Sequence, residues 1–266
     1  MNTGLVPGAA HAPTRFLLAR VGSIPRHRLV SFRPHGAGRE LIPAVSTPQS
    51  LVALRARVGD FVVESLERSS DRNFLGRMPV AEQIDHALGF VSAVETVLGG
   101  VPTSVADLGS GGGVPGLVLL SCWPGCRVLL LDGNQRRIEF LAAETDSWAG
   151  SRRVELVRGR AEEVARDDRM RGQFEVVTAR SFGPPAVTAE CGAPLLGLGG
   201  VMVVSEPPGE ADGGRWPDGG LSQVGLTRSS RVRFDDRFGY QVLLKSSETP
   251  ERYPRRVGIP AKRPLF

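Results

Sequence analysis

The sequence predicts an α/β fold, in which a doubly wound and mostly parallel sheet follows an N-terminal helical cap and ends in an antiparallel hairpin. From residue 104 onward, short apolar runs alternate with helical segments, a pattern typical of a parallel sheet with helices on both faces. A short turn separates two later segments with strand character, Val224 to Phe234 and Tyr240 to Lys245, which suits an antiparallel pair. We place five parallel strands before them, at Val105 to Leu108, Arg127 to Leu131, Val154 to Val157, Phe174 to Thr178 and Val201 to Val204.

Other segments complete the predicted organisation. Residues 1–49 contain six arginines, one acidic residue (Glu40) and six prolines without a sustained period, so we predict a poorly ordered basic extension. Residues 50–100 carry apolar residues at helical spacing and predict the cap. One domain then spans residues 50–266, with the sheet over 101–249 and a basic tail over 250–266. Within it, we predict helices at about Gln135 to Trp148, through Glu163 and Val164, and at Ala186 to Leu196, and a loop over 209–222.

The composition narrows the class of protein. The 266 residues are 41% hydrophobic and carry a net charge of +5, and no run of about 18 apolar residues could cross a membrane. The cysteines Cys122, Cys126 and Cys191 fit neither a disulfide framework nor a zinc pattern, so we expect reduced thiols, no metal and a cytoplasmic protein. Both ends of the chain are basic and its centre is mildly acidic. This distribution suits an anionic polymer as partner, or equally solvated ends.

A glycine-rich stretch, V-A-D-L-G-S-G-G-G-V-P-G-L, follows the cap and predicts a strand, a turn and the start of a helix. Glycines let backbone N–H groups approach a ligand at a helix N-terminus. Asp107, Gly109, Gly111 and Gly113 form the pattern acidic-x-Gly-x-Gly-x-Gly, which favours S-adenosylmethionine because the acidic side chain can face its ammonium group. The alternatives are a dinucleotide, whose shorter fingerprint Gly111, Gly113 and Gly116 satisfy, and a turn that binds nothing.

Two acidic positions extend this predicted cofactor site. Asp132 ends the second strand, where a carboxylate can accept hydrogen bonds from two ribose hydroxyls. The segment Arg160-Ala161-Glu162-Glu163 follows the third strand, where a backbone N–H and a carboxylate can read the edge of an adenine ring. The alternatives are a solvated carboxylate at Asp132 and an ordinary first-turn helix acid at Glu162.

The end of the fourth strand, T-A-R-S-F, indicates the type of acceptor. It lacks the Asp/Asn-Pro-Pro-aromatic motif that orients an exocyclic amine and the Pro-Cys that attacks a pyrimidine ring. A nucleophile with its own lone pair, such as guanine N7, fits this end, because the enzyme then only has to desolvate and align it. Arg180 is the candidate catalytic residue and could hold the cofactor or the substrate; the alternative is a structural ion pair.

At these motifs the chain resembles the GidB/RsmG family. The resemblance covers about residues 73–266 and rests on D-L-G-S-G-G-G-V-P-G, L-L-L-D-G-N-Q-R-R-I-E-F-L, G-R-A-E-E, F-E-V-V-T-A-R-S-F and R-Y-P-R-R-V-G-I-P-A-K-R-P-L. It implies a Rossmann-like class I methyltransferase that uses S-adenosylmethionine to methylate guanine N7 in small-subunit ribosomal RNA. It further implies cofactor contacts at Gly109, Val114, Ala161, Glu162 and Arg180.

The chain departs from the family pattern at two places. The family carries His-x-x-Asp-Ser in the helix before the first strand, whereas this chain keeps His86 but has Gly89 and Phe90. The family usually has Lys-Gly after the fifth strand, whereas this chain has Ser205-Glu206-Pro207-Pro208. Because both departures lie on the substrate side, two other hypotheses stay open: methylation of a small molecule or another RNA site, and cofactor binding without catalysis.

The basic tail supplies the candidate RNA-binding residues. The prolines Pro254, Pro260 and Pro264 of this tail predict an extended rather than helical path. A tail that leaves the hairpin could reach the rim of the cofactor site, where RNA phosphates would approach. We therefore predict that RNA binds through Arg252, Arg255, Arg256, Lys262 and Arg263. The resemblance implies that this partner is small-subunit ribosomal RNA, and we expect the protein to be a monomer.

Overall fold

The computed structural model describes residues 49–146, 148, 151–207 and 214–266, so the predicted N-terminal extension lies outside the described residues apart from Gln49. Over these residues the cap contains the helices α1 (Leu51–Arg55), α2 (Asp60–Asp71) and α3 (Val80–Leu98). Helix α3 is the most deeply placed, since every residue from Gln83 to Glu95 is buried. It ends at Gly99, whose φ of 68° is the left-handed conformation that glycine adopts readily at a helix end.

Within the described residues, seven strands form one sheet in the order β3-β2-β1-β4-β5-β7-β6. Strands β1 to β5 are parallel, and β7 is inserted antiparallel between β5 and β6. The predicted doubly wound sheet and its terminal hairpin are thereby confirmed. The strands are β1 (Ser104–Leu108), β2 (Arg127–Asp132), β3 (Val154–Arg158), β4 (Phe174–Ala179), β5 (Leu196–Glu206), β6 (Leu226–Phe234) and β7 (Phe238–Lys245).

Helices cover both faces of the sheet. After the cap come α4 (Gly116–Cys122), α5 (Gln135–Asp146), α6 (Ala161–Val164), α7 (Pro185–Gly192), α8 (Asp218–Ser222) and α9 (Ile259–Lys262). Side chains of α3, α4 and α5 share one buried cluster with Val105 of β1, and those of α6, α7 and α8 share another with the next residue, Ala106. Alternate residues of the central strands β2 and β4 likewise divide between the two clusters, which explains why these strands are mostly apolar.

The strand order fixes where a ligand can bind. Strands β2 and β3 follow β1 on one side, and β4 and β5 lie on its other side, so the direction of winding reverses between β1 and β4. In open parallel sheets, ligands bind outside the carboxyl ends of the strands at such a reversal. The glycine-rich turn after β1 lies at this point.

Three sequence predictions of local structure were wrong. The predicted helix to Leu196 ends at Gly192, and Leu196 begins β5 after a short 3-10 helix that contains Pro194. The predicted loop over 209–222 contains α8, although residues 208–213 lie outside the described chain. The tail is not wholly extended, since Pro260 lies in the first turn of α9, where a missing backbone N–H breaks no helical hydrogen bond.

Candidate active site

The glycine-rich turn after β1 leaves backbone exposed to a ligand. Gly109 and Gly111 have φ angles of 68° and 55°, which side chains disfavour. A Cβ on Gly111 would meet no atom closer than the Gly109 carbonyl oxygen at 3.7 Å, so the space beside it is open. The space beside Gly109, by contrast, is filled, because a Cβ there would lie 2.9 Å from the ring of Phe182. The turn therefore fits the predicted cradle at Gly111, with Phe182 packed over its first glycine.

Asp132 joins this turn to the end of β2. It is 6% exposed, and its Oδ2 accepts a hydrogen bond from Gly111 N at 2.9 Å while Oδ1 accepts from Asn134 N at 2.7 Å. Arg137 Nη1 lies 3.6 Å from Oδ2. Each carboxylate oxygen can accept a further hydrogen bond, so the side chain is held in place and can still receive ribose hydroxyls.

Asp107 lies fully buried beneath the turn. Its Oδ1 accepts a hydrogen bond from Thr178 Oγ1 at 2.8 Å, and its Oδ2 accepts one from Gly116 N at 3.2 Å. Burial raises the pKa of this carboxyl to about 6, against the hydrogen bonds that lower it. The side chain thus ties β1 to β4 and to the start of α4, and its contact with a cofactor ammonium group stays a prediction.

The loop between β3 and α6 continues the site away from β1. Gly159 N donates to the carbonyl oxygen of Asp132 at 3.2 Å, so this loop lies directly beside the predicted ribose position. Ala161 and Glu162 are 5% and 4% exposed. Glu162 Oε1 accepts a hydrogen bond from Gly258 N of the tail at 3.0 Å. Burial opposes ionisation of Glu162, but this hydrogen bond and the nearby Arg160 hold its pKa below the ordinary value.

Arg180 lies on the other side of β1, just after β4. Its guanidinium donates to Gln83 Oε1 of α3, and burial lowers its pKa, although an arginine stays protonated at neutral pH. The next residue, Ser181, has a φ of 52°, a strained conformation for a serine. Since Phe182 then packs on Gly109, the end of β4 is fixed across the turn.

At the first departure from the family pattern, Gly89 leaves space for the side chain of Tyr240, a residue that the sequence did not single out. A Cβ on Gly89 would lie 2.1 Å from the hydroxyl of Tyr240, which is fully buried in β7 and donates a hydrogen bond to the carbonyl oxygen of His86. The Phe90 ring contacts the Tyr240 ring edge to face at 4.8 Å. The glycine, the phenylalanine and the tyrosine are therefore one packing unit. Local sequence held no signal for it, because Tyr240 lies 154 positions after His86.

His86 itself is a neutral side chain. It is 9% exposed, and its Nδ1 has no hydrogen-bond partner among the described residues. Burial, together with the charge of Arg180, lowers its pKa to about 3. At neutral pH the imidazole is therefore uncharged and a very weak base.

At the second departure, the carboxylate of Glu206 is paired within the protein. Glu206 is 8% exposed at the end of β5, where it accepts hydrogen bonds from Arg215 Nε and Trp216 Nε1, both at 2.9 Å. The carboxylate is thus neutralised inside the protein. Glu206 alone did not indicate this in the sequence, since Arg215 and Trp216 lie nine and ten positions further along the chain.

The predicted RNA-binding residues fall into two groups. Arg255 N and Nε donate to Glu190 Oε1 at 2.8 and 2.9 Å, and its Nη2 donates to Glu190 Oε2 at 2.6 Å. The other four side chains are exposed and make no hydrogen bond or ion pair within the described residues; they are Arg252, Arg256, Lys262 and Arg263.

The described part of the chain holds no group of three or more His, Cys, Asp or Glu side chains placed to bind a metal ion. All three cysteines are buried and unpaired thiols. Among the described residues, no helix is both long and apolar enough to cross a membrane.

A family model described as rRNA small subunit methyltransferase G, of the GidB family, matches residues 61–206. The chain belongs to this family. It is 33% identical over 202 residues to a protein of Rubrobacter xylanophilus, covering 73% of this chain and 77% of the relative. It is also 33% identical over 211 residues to one of Pelotomaculum thermopropionicum, covering 75% and 86%. Both are named ribosomal RNA small subunit methyltransferase G.

The fold resembles the crystal structure of a Klebsiella pneumoniae protein assigned as an O-methyltransferase. The TM-score is 0.50 at 13% identity, covering 74% of this chain and 95% of that one, a likeness of fold alone. As a member of the GidB family, the chain is an S-adenosylmethionine-dependent methyltransferase. Its residues fit the cofactor, because the space beside Gly111 is open and Asp132 is held at its edge.

Proposed function

We propose that this methyltransferase modifies N7 of a guanine in small-subunit ribosomal RNA, as a cytoplasmic monomer. The proposal is carried by the side chains at the carboxyl ends of β1 and β4. Among the described residues there, Arg180 is a cation, His86 is neutral and very weakly basic, and Asp107 is buried and doubly hydrogen-bonded. This set supplies no accessible general base. Guanine N7 needs none, since its lone pair accepts a methyl group without losing a proton.

The predicted roles follow from the strand order. When bound, S-adenosylmethionine supplies an electrophilic methyl group. Gly111 and Asp132 would hold its amino-acid and ribose parts, and Ala161 and Glu162 would hold adenine, because the loop after β3 adjoins Asp132 on the side away from β1. Methyl transfer would then take place on the β4 side.

Arg180 is the proposed catalytic residue at this end. Gln83 holds its guanidinium, which can donate to an acceptor oxygen of the substrate or of the cofactor. Asp107, mostly ionised above its pKa of about 6, would offset the positive charges gathered there.

Exposed cations support RNA as the substrate. They lie around the edge of the sheet where the parallel strands end. Arg136 is in the first turn of α5, Arg158 ends β3, and the loop of Arg72 and Arg77 packs on Gly112 of the turn. Each is exposed and makes no ion pair with a described residue. With Arg252, Arg256, Lys262 and Arg263 of the tail, they would neutralise phosphates around the site.

The test is methyl transfer from labelled S-adenosylmethionine to small ribosomal subunits that lack their modifications, followed by digestion to nucleosides. We expect the label in 7-methylguanosine. Large subunits are the control and should stay unlabelled. Label in another nucleoside, or none in small subunits with an enzyme that binds S-adenosylhomocysteine, would contradict the proposal.

A further inference from the structure

The segment from Thr249 to Gly258, at the start of the tail, is bound to the protein through both the carbonyl oxygens and the N–H groups of its backbone. Among the carbonyl oxygens, that of Pro254 accepts a hydrogen bond from Arg166 Nε at 2.6 Å, and that of Tyr253 accepts one from Arg171 Nη1 at 2.9 Å. Both arginines follow α6 in the chain. The segment is thus part of the folded domain and not a free arm.

Two buried carboxylates accept hydrogen bonds from the N–H groups of the same segment. Glu190 of α7 is fully buried and receives the backbone N–H and the bidentate guanidinium of Arg255. Glu162, 4% exposed, receives the N–H of Gly258. The Arg255 and Gly258 contacts lie three residues apart, so anchoring Arg255 also fixes where the Gly258 N–H points.

Glu162 lies in the first turn of α6, next to the loop that would receive adenine. This loop begins at Gly159, which hydrogen-bonds to the backbone of Asp132, and continues through Ala161. The ribose would be held at Asp132, and β3 lies beyond β2 in the sheet, so the base attached to that ribose falls on this loop. A tail that fixes the Glu162 carboxylate therefore fixes one wall of the base pocket.

We propose that Arg255 is a positioning residue of the cofactor site: it pairs with Glu190, holds the tail, and thereby orients Glu162 beside the loop that would bind adenine. This inference deepens the proposed function, since it rests on adenine binding beside Glu162. It gives Arg255 a different role from its neighbour Arg256, which is exposed and makes no side-chain hydrogen bond to a described residue. One tail then serves two ligands, the cofactor through its bound arginine and RNA through its exposed cations.

The test compares R255A with R256A by calorimetry of S-adenosylhomocysteine and of adenosine, which lacks the amino-acid part. We expect R255A to raise the Kd of both ligands about tenfold, or about 1.4 kcal/mol, at an unchanged stoichiometry of one. R256A should leave both Kd values unchanged. Steady-state assays should show a raised KM for S-adenosylmethionine with little change in kcat. R255K, which keeps the charge but loses the bidentate geometry, should fall between wild type and R255A.

A folded R255A with wild-type Kd values for both ligands would overturn the inference. So would a loss for S-adenosylhomocysteine without a loss for adenosine, because that would place the effect outside the base pocket. Should R255A not fold, R255K decides, and a wild-type adenosine Kd in it overturns the inference. The two calorimetric measurements need no RNA, so a failure to methylate ribosomal RNA is a separate outcome.

Discussion

At the scale of single residues, Asp132 carries the binding prediction. Its two oxygens already accept hydrogen bonds from Gly111 N and Asn134 N, so replacing the carboxylate removes the predicted ribose contact and loosens the turn. We expect Asp132→Ala to weaken S-adenosylhomocysteine binding by about 1.5–3 kcal/mol, the range for hydrogen bonds to a charged group. Calorimetry measures this, with Asp146→Ala, at an exposed acid at the end of α5, as control. An affinity equal to that of wild type would leave Asp132 a structural residue only.

Gly89 carries a stability prediction. A methyl group there would overlap the Tyr240 hydroxyl at 2.1 Å and its ring at 2.4 Å, so Gly89→Ala should lower the free energy of unfolding by about 1–3 kcal/mol. Gly76→Ala is the control, because its Cβ would meet no atom within 4 Å. Urea unfolding measures both, and the double variant Gly89→Ala/Tyr240→Ala should lose less than the sum of the single losses. Additive losses would show that the two positions do not share one space.

At the scale of elements, the sequence predicted what local patterns encode. Apolar runs located the five parallel strands, and the glycines located the turn. The partners of Gly89, Glu206 and Arg255 could not be predicted, because each lies in a segment whose place depends on the strand order. The path of the tail was predicted wrongly for the same reason. Its prolines predicted an extended path, but buried acids on α6 and α7 bind its backbone.

The tail carries a prediction about salt. Replacing Arg256, Lys262 and Arg263 by Ala should weaken RNA binding and flatten the slope of log affinity against log salt by about 0.7 per lost phosphate contact on single strands. S-adenosylhomocysteine affinity should not change. Filter binding across a salt series measures this, with Arg152→Ala as control, since Arg152 is exposed just before β3, at the opposite edge of the sheet. An unaltered slope in the triple variant would exclude the tail from the RNA interface.

At the scale of the whole molecule, the sheet places the predicted cofactor groups in a row. The loop after β3, Asp132 of β2, the turn after β1 and Arg180 after β4 follow the strand order. Adenine would lie at one end of this row and the acceptor at the other. At the acceptor end, burial lowers the pKa of His86 to about 3 and raises that of Asp107 to about 6, so the midpoints of both titrations lie below pH 7.

The pH dependence of a single turnover tests this account most directly. With enzyme in excess over small subunits, we predict that the rate constant of methyl transfer stays within about twofold from about pH 7 to about pH 8.5, because no side chain has to remove a proton. A rate constant that rises about tenfold per pH unit in this range would reveal a general base. That result would contradict an acceptor that reacts through its own lone pair.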